Sequence, residues 1–127
     1  MKLFYSATTP EVAVLATREE YRALTEALRT PGQARMHASQ EGNPEPYAAF
    51  LQGIVVTCGG EERVSVIVNP ECSTLEFRGC GASLAMLAVN VASFGAEADM
   101  DSHSHEEYYE GHFYLEKDSL PVVFELH

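Results

Sequence analysis

The sequence predicts an α+β fold: a mostly antiparallel sheet of about six or seven short strands with two helices packed on one face. Short β-favouring runs and two helical patterns follow one another without the regular β-α-β order of a parallel sheet. The 127 residues are the length of one domain, so residues 1–127 are expected to fold as a single unit. The composition, 46% hydrophobic and 21% charged residues, is typical of a globular protein.

The N-terminal part of the chain predicts a strand pair followed by a helix. Residues 2–6 and 11–16 favour β-structure and flank a Thr-Thr-Pro turn. Thr17 and Glu20 have the spacing of a capping box, in which each side chain accepts a hydrogen bond from the other residue's backbone amide. Apolar residues then recur at helical spacing, so a helix is expected over residues 18–29 and should end before the Pro-Gly pair that follows.

The middle of the chain predicts a loop and then a meander. Residues 33–46 are rich in Gln, Ser, Glu, Gly, Asn and Pro, a composition that favours a mobile loop. Residues 51–58, 63–68 and 74–78 are β-favouring runs separated by turn residues. We therefore expect three consecutive strands there, each paired with the next.

The last third of the chain predicts one more helix and two more strands. Residues 82–98 carry apolar side chains at helical spacing, so a second helix should lie flat on the sheet. This helix is rich in alanine, and its broad apolar face is also suited to packing against a second copy. A homodimer is therefore open, and a small oligomeric structural module is an alternative function. Residues 102–109 and 121–126 are expected to be strands.

Charge and cysteine content narrow the function classes. A formal net charge of -11 disfavours nucleic acid and anionic membranes as partners, because both would repel the chain. Three cysteines cannot all pair within one chain and no Cys-x-x-Cys spacing occurs, which is typical of reduced thiols in a cytoplasmic protein. No G-x-S-x-G, P-loop or H-E-x-x-H motif is present, so neither catalytic residues nor a cofactor are expected.

Acidic residues are concentrated in the C-terminal part of the chain. From residue 79 onward there are nine Asp and Glu and a single base, Lys117, whereas the preceding residues carry only -3. This asymmetry favours either a solvated surface or an electrostatic face for a basic partner. Tyrosines lie among the acids and are common interface anchors. The candidate partner-binding residues are Asp99, Asp101, Glu106, Glu107, Glu110, Tyr108 and Tyr109.

A pair of histidines provides an alternative hypothesis, a metal-binding protein or a metal-dependent enzyme. On a strand, His103 and His105 would share one face and stand close enough to hold a metal ion together. A functional metal site needs at least one further ligand, for which Glu107 and His112 are the candidates. The other interpretation is that these are partly exposed histidines in an acidic neighbourhood.

The C-terminal segment resembles a known family. The strings HSHEEY at residues 103–108, GHFYL at residues 111–115 and DSLP at residues 118–121 are similar to the signature of the immunity protein 32 family of bacterial polymorphic toxin systems. Upstream, the order of elements is similar while the residues are not. The resemblance implies a small non-catalytic protein that binds and neutralises a cognate toxin, which we expect to be basic, such as a nuclease.

Several residues of this segment have structural interpretations as well. Gly111 fits a position with positive φ, and Asp118 and Ser119 fit a turn closed by side-chain to backbone hydrogen bonds. His112 is suited to bracing a turn by bonding a backbone carbonyl, and Pro121 to starting an edge strand. These expectations attribute the motif to the fold rather than to the binding surface.

Overall fold

The computed structural model describes residues 1–127, which form two helices and nine strands. In chain order the elements are β1 (Lys2–Ser6), β2 (Glu11–Ala16), α1 (Arg18–Arg29), β3 (Gln33–His37), β4 (Ala49–Phe50), β5 (Gly53–Cys58), β6 (Ser65–Asn69), β7 (Thr74–Gly79), α2 (Gly81–Glu97), β8 (His103–Glu106) and β9 (Val122–Leu126). The predicted α+β class is confirmed.

The strands form two mixed sheets rather than one mostly antiparallel sheet. The first sheet has the order β4-β1-β2-β9-β8, and the second has the order β3-β5-β7-β6. Each sheet contains one parallel pair, β2 with β9 and β5 with β7, while the other neighbours are antiparallel. The prediction of a single sheet was wrong because hydrophobic alternation indicates that a segment is a strand but not which strand lies beside it or in which direction.

Three local predictions are also corrected. The predicted meander does not form, since β6 pairs with β7 and leaves β5 on the far side of β7. The predicted loop over residues 33–46 begins with β3, where polar residues alternate with Ala34 and Met36, which pack against the core. The strand expected over residues 102–109 is shorter and ends at Glu106.

The two helices pack against each other and touch both sheets. The capping box of Thr17 and Glu20 is present at the start of α1. Tyr21 of α1 donates its hydroxyl hydrogen to the carbonyls of Val14 and Glu125, which fixes α1 to the first sheet. α1 also contacts β3, and α2 contacts β7, both in the second sheet. The sequence predicted that both helices lie on one face of one sheet. Instead, the helix pair contacts two sheets.

The connection between β8 and β9 joins the two sheets. Val64, just before β6, donates its amide hydrogen to the Tyr114 carbonyl and accepts one from the Glu116 amide. The Leu120 amide then bonds the Val66 carbonyl, so this connection covers the β6 edge of the second sheet. Only after this does the chain enter the first sheet as β9.

Neither helix of the chain is long and apolar enough to cross a membrane.

Candidate partner-binding surface

The side chains of strand β8 alternate between exposed and half-buried positions. His103 and His105 are exposed, and their cross-strand neighbours on β9 are Glu125 and Val123. The alternate residues of β8, Ser104 and Glu106, are half-buried and lie opposite the core residues Phe124 and Val122. The two-residue period of a strand thus turns the histidine pair away from the core and Glu106 towards it, although His105 and Glu106 line one surface depression.

The histidine pair has the predicted geometry but gains no third ligand. The His103 and His105 rings lie on one face with centroids 5.3 Å apart. No group of three or more His, Cys, Asp and Glu side chains is placed to hold a metal ion, so neither His112 nor Glu107 completes such a set with this pair.

His112 instead supports the backbone of its own loop. The residue is buried, and its Nδ1 accepts hydrogen bonds from the amides of Tyr114 (3.2 Å) and Leu115 (3.1 Å). We predicted that His112 would bond a carbonyl, and this was wrong, because Nδ1 is the acceptor here. Its ring also packs against the rings of Tyr109 and Tyr114, with centroids 4.6 Å away in each case.

Glu106 is tied to both α2 and the loop. Its Oε2 accepts a hydrogen bond from the Tyr114 hydroxyl at 2.8 Å, and its Oε1 accepts one from the Asn90 side-chain amide at 3.2 Å. Asn90 also donates to the Tyr114 hydroxyl. Burial raises the pKa of Tyr114 above its ordinary value, and the hydrogen bond to the Glu106 carboxylate raises it further. Glu106, predicted as a partner contact, is therefore an organising residue of this surface.

The remaining motif residues serve the fold. Gly111 has φ of +85°, as predicted, and Asp118 also has a positive φ, of 71°. The Ser119 hydroxyl accepts from the Val66 amide and donates to the Val64 carbonyl, so it bonds the neighbouring strand rather than its own turn. Pro121 directly precedes β9, but β9 lies between β2 and β8, which corrects the predicted edge position.

A groove runs between α2 and β8 and ends at the loop over residues 109–114. It consists of two adjoining depressions of about 470 and 450 Å³, which share Asn90 and Glu106. We call it the acidic groove, because carboxylates line it together with His105 and His112, and no Lys or Arg does. The carboxylates are Glu97, Glu106 and Glu107.

The predicted partner-binding residues divide into an exposed and a half-buried group. Tyr108 packs against the core, and Glu106 belongs to the hydrogen-bond network described above. The exposed residues are Asp99, Asp101, Glu107, Tyr109 and Glu110. Of these, Glu107 and Tyr109 line the acidic groove, while Glu110 is adjacent to Tyr109 in the chain. Asp99 and Asp101 lie in the turn after α2, beyond the Ala98 end of the groove.

Exposed apolar side chains add to the predicted partner-binding residues. The Phe113 side chain is 80% exposed and Tyr109, which was predicted, is 60% exposed, and both line the acidic groove. On α2, Met86 and Val89 are also exposed, as is Met100 just after it. Sequence reasoning assigned the apolar positions of α2 to packing, because most such residues are buried. The sequence signal for an exposed side of α2 was Asn90, a polar residue within a mostly apolar helix that lines the groove.

Comparisons of the chain with protein-family models, with curated proteins and with solved structures give no significant match.

Proposed function

We propose that the chain is an immunity protein that binds and neutralises a cognate toxin in the cytoplasm through the acidic groove, without catalysing a reaction. The observation that carries this proposal is the exposure of Phe113 and Tyr109 beside carboxylates, in a groove that no Lys or Arg lines. The toxin as the class of partner comes from the resemblance of residues 103–121 to the immunity protein 32 family. The expectation that this partner is basic comes from the carboxylates that line the groove.

The aromatic rings support a protein partner. A phenyl ring left 80% exposed gains free energy when a partner covers it, and aromatic residues are frequent among the few that dominate binding energy. Phe113 follows His112, whose Nδ1 accepts hydrogen bonds from the Tyr114 and Leu115 amides. These bonds fix the conformation of the loop before a partner binds. A fixed loop reduces the conformational entropy lost on association.

The carboxylates support a basic partner. The two ion pairs within the chain are Met1–Glu20 and Arg78–Glu76, and neither belongs to the groove. Glu97, Glu107 and Glu110 therefore lie exposed without an internal counterion. A surface of this kind attracts a basic protein, raises the association rate and contributes specificity.

The test uses a charge-reversal variant and a matched control. We would replace Glu107 and Glu110 by Lys in one protein and Glu61 and Glu62 by Lys in the other. The control acids are also exposed, but they lie near the start of α2, where the Glu62 carbonyl accepts a hydrogen bond from Ser83. Each tagged protein captures partners from the source cell's lysate at low and at high salt, and mass spectrometry identifies them.

Capture is followed by a functional assay of the identified protein. We expect one basic protein in near-equal amount with the wild type and the control, and much less with the E107K/E110K protein. Expressed alone, that protein should arrest growth, and wild-type chain should restore it. Equal rescue by E107K/E110K would exclude the groove as the binding surface, whereas a harmless partner would exclude the immunity role.

Self-association is measured in the same series. Light scattering over a range of concentrations reports the mass of the free chain. If Met86 and Val89 mediate a homodimer, replacing both by Ser should lower the mass to that of one chain. If that substitution also left toxin binding unchanged, the two surfaces would be separate.

A further inference from the structure

A second cleft lies on the other flank of α2, between α2 and α1. It has a volume of about 280 Å³ and is lined by three arginines of α1, Arg18, Arg22 and Arg29. The chain has only eight Lys and Arg, and one acid, Glu26, accompanies these three in the cleft. The local charge is therefore about +2 in a chain whose net charge is -11.

The helical repeat of α1 brings these arginines together. Residues four and seven positions apart lie on one face of a helix, which is the spacing from Arg18 to Arg22 and from Arg22 to Arg29. The Arg18 guanidinium donates hydrogen bonds to the Gly95 carbonyl at 3.0 Å and to the Ala98 carbonyl at 2.6 Å. Arg18 is thus held in place by the C-terminal end of α2.

Arg22 and Arg29 remain free to bind. Glu26 lies between them on the same helix, yet the two ion pairs of the chain do not include it or either arginine. Both guanidinium groups are exposed, so no interaction within the chain has to be broken before they bind an anion.

The α2 wall of the cleft has no long side chains. Ala92, Gly95 and Ala96 face the arginines from α2. A bound group can therefore lie against the helix and still reach the guanidinium groups. A volume of about 280 Å³ is at the lower limit of small-molecule sites and is too small for a folded segment of a partner protein.

We propose that this cleft binds the phosphoryl group of a small molecule, with Arg22 and Arg29 as its direct contacts and Arg18 as the residue that shapes the wall. A phosphate monoester carries about -1.5 to -2 charges at neutral pH, which matches the local +2 of the cleft. Guanidinium groups bind phosphate oxygens through pairs of parallel hydrogen bonds, a geometry that lysine does not offer. This site is independent of the proposed binding of a toxin.

The test is an NMR titration of the ¹⁵N-labelled chain with pyrophosphate, in buffer held at constant ionic strength with NaCl. We expect saturable shifts of the Gly95 and Ala96 amides and of the Arg22 and Arg29 side-chain Nε–H signals at millimolar pyrophosphate. Inorganic phosphate should bind more weakly. Adenosine diphosphate distinguishes a free phosphate ligand from a nucleotide, since additional shifts beyond the cleft would indicate that the nucleoside also binds.

Four variants make the test specific. Arg22→Ala and Arg29→Ala should each weaken pyrophosphate binding about tenfold or more, because each removes charged hydrogen bonds. Glu26→Gln should strengthen binding, since it removes the one negative charge of the cleft. Arg35→Ala, on β3, should leave binding unchanged. Shifts that do not saturate, or an equal loss of affinity in Arg35→Ala, would overturn the proposal.

Discussion

Gly95 of α2 lies against Tyr21 of α1 so closely that a Cβ atom at position 95 would stand 2.7 Å from the Tyr21 Cβ. Real side-chain carbons do not approach to that distance, so one helix would have to move. Tyr21 in turn bonds the carbonyls of Val14 and Glu125 through its hydroxyl. This contact therefore sets the separation of the helices and the position of α1 on the first sheet.

Substitution of Gly95 by Ala is expected to destabilise the chain. Alanine favours a helix over glycine by about 1 kcal/mol, but overpacking costs about 1–3 kcal/mol, and with Tyr21 fixed by two hydrogen bonds the steric term should dominate. Urea unfolding measures the net change. Gly81→Ala is the control, because a Cβ there meets only the Cys58 Sγ at 3.8 Å. Stabilisation by both substitutions would show that the helices separate at little cost.

Substitution of His112 by Phe is expected to destabilise the loop that carries Phe113. Phenylalanine keeps a ring in the buried site but leaves the Tyr114 and Leu115 amides without their acceptor, which costs about 2–4 kcal/mol for the two donors. His112→Asn should lose less, because an Asn side-chain oxygen can accept bonds from amides two and three residues later. His105→Phe, at an exposed position, controls for the loss of imidazole. Equal losses in the Phe and Asn variants would show that the acceptor is unimportant.

Substitution of Glu76 by Gln is expected to change how stability depends on pH. Burial tends to raise the pKa of the Glu76 carboxyl, but hydrogen bonds from Asn69, Arg78 and Thr74 outweigh burial and hold the pKa below its ordinary value of 4.5. The ionised form thus stabilises the fold above pH 4.5, and this stabilisation is lost as the pH falls further.

Unfolding measured from pH 7 down to pH 2 checks that expectation. At pH 7 Glu76→Gln should be about 1–2 kcal/mol less stable than the wild type, a modest loss because the half-exposed Arg78 can turn to water. The difference should shrink below pH 4.5. Glu71→Gln, in the exposed turn before β7, should follow the wild type throughout. A constant difference across the range would contradict a role for the Glu76 charge.

Substitution of Phe113 by Ala is expected to separate binding from stability. The ring is 80% exposed, so its removal should change the free energy of unfolding by less than about 0.5 kcal/mol. Affinity for the partner identified by capture should fall by about tenfold or more if the ring is an interface anchor. Tyr114→Phe provides the opposite case, because it loses the bonds to Glu106 and Asn90 and should lower stability. An unchanged affinity in Phe113→Ala would remove this ring from the interface.

Helix α1 and the pairing of β1 with β2 were predictable because the residues that specify each of them are close together in the sequence. The capping box of Thr17 and Glu20 and the spacing of apolar residues together place α1 over the residues where it is found. The antiparallel pairing of β1 with β2 follows from two β-favouring runs close together in the chain. The pairing of β2 with β9 and of β5 with β7 depends on segments far apart, whose hydrophobic patterns carry no information on direction.

The candidate site was predictable in part for the same reason. Composition indicated an acidic surface near residues 99–110, and five of the seven candidate residues there are exposed. Sequence could not show that Glu106 turns towards Asn90 and Tyr114, because Asn90 belongs to another element. Nor could it distinguish Phe113, which is exposed, from Tyr114 beside it, which is buried.

The position of β9 between β2 and β8 has a consequence for how the chain folds. Val12 and Val122 are paired although they are 110 residues apart, so the first sheet is completed by one of the most distant contacts that this chain can make. Closing so long a loop is slow, which predicts folding on the slower side for a domain of this size. Until β9 docks, the edge of β2 opposite β1 is unpaired. This apolar edge can then pair with other chains. The rate of β9 docking, rather than the final stability, is then expected to determine how much newly made chain escapes aggregation.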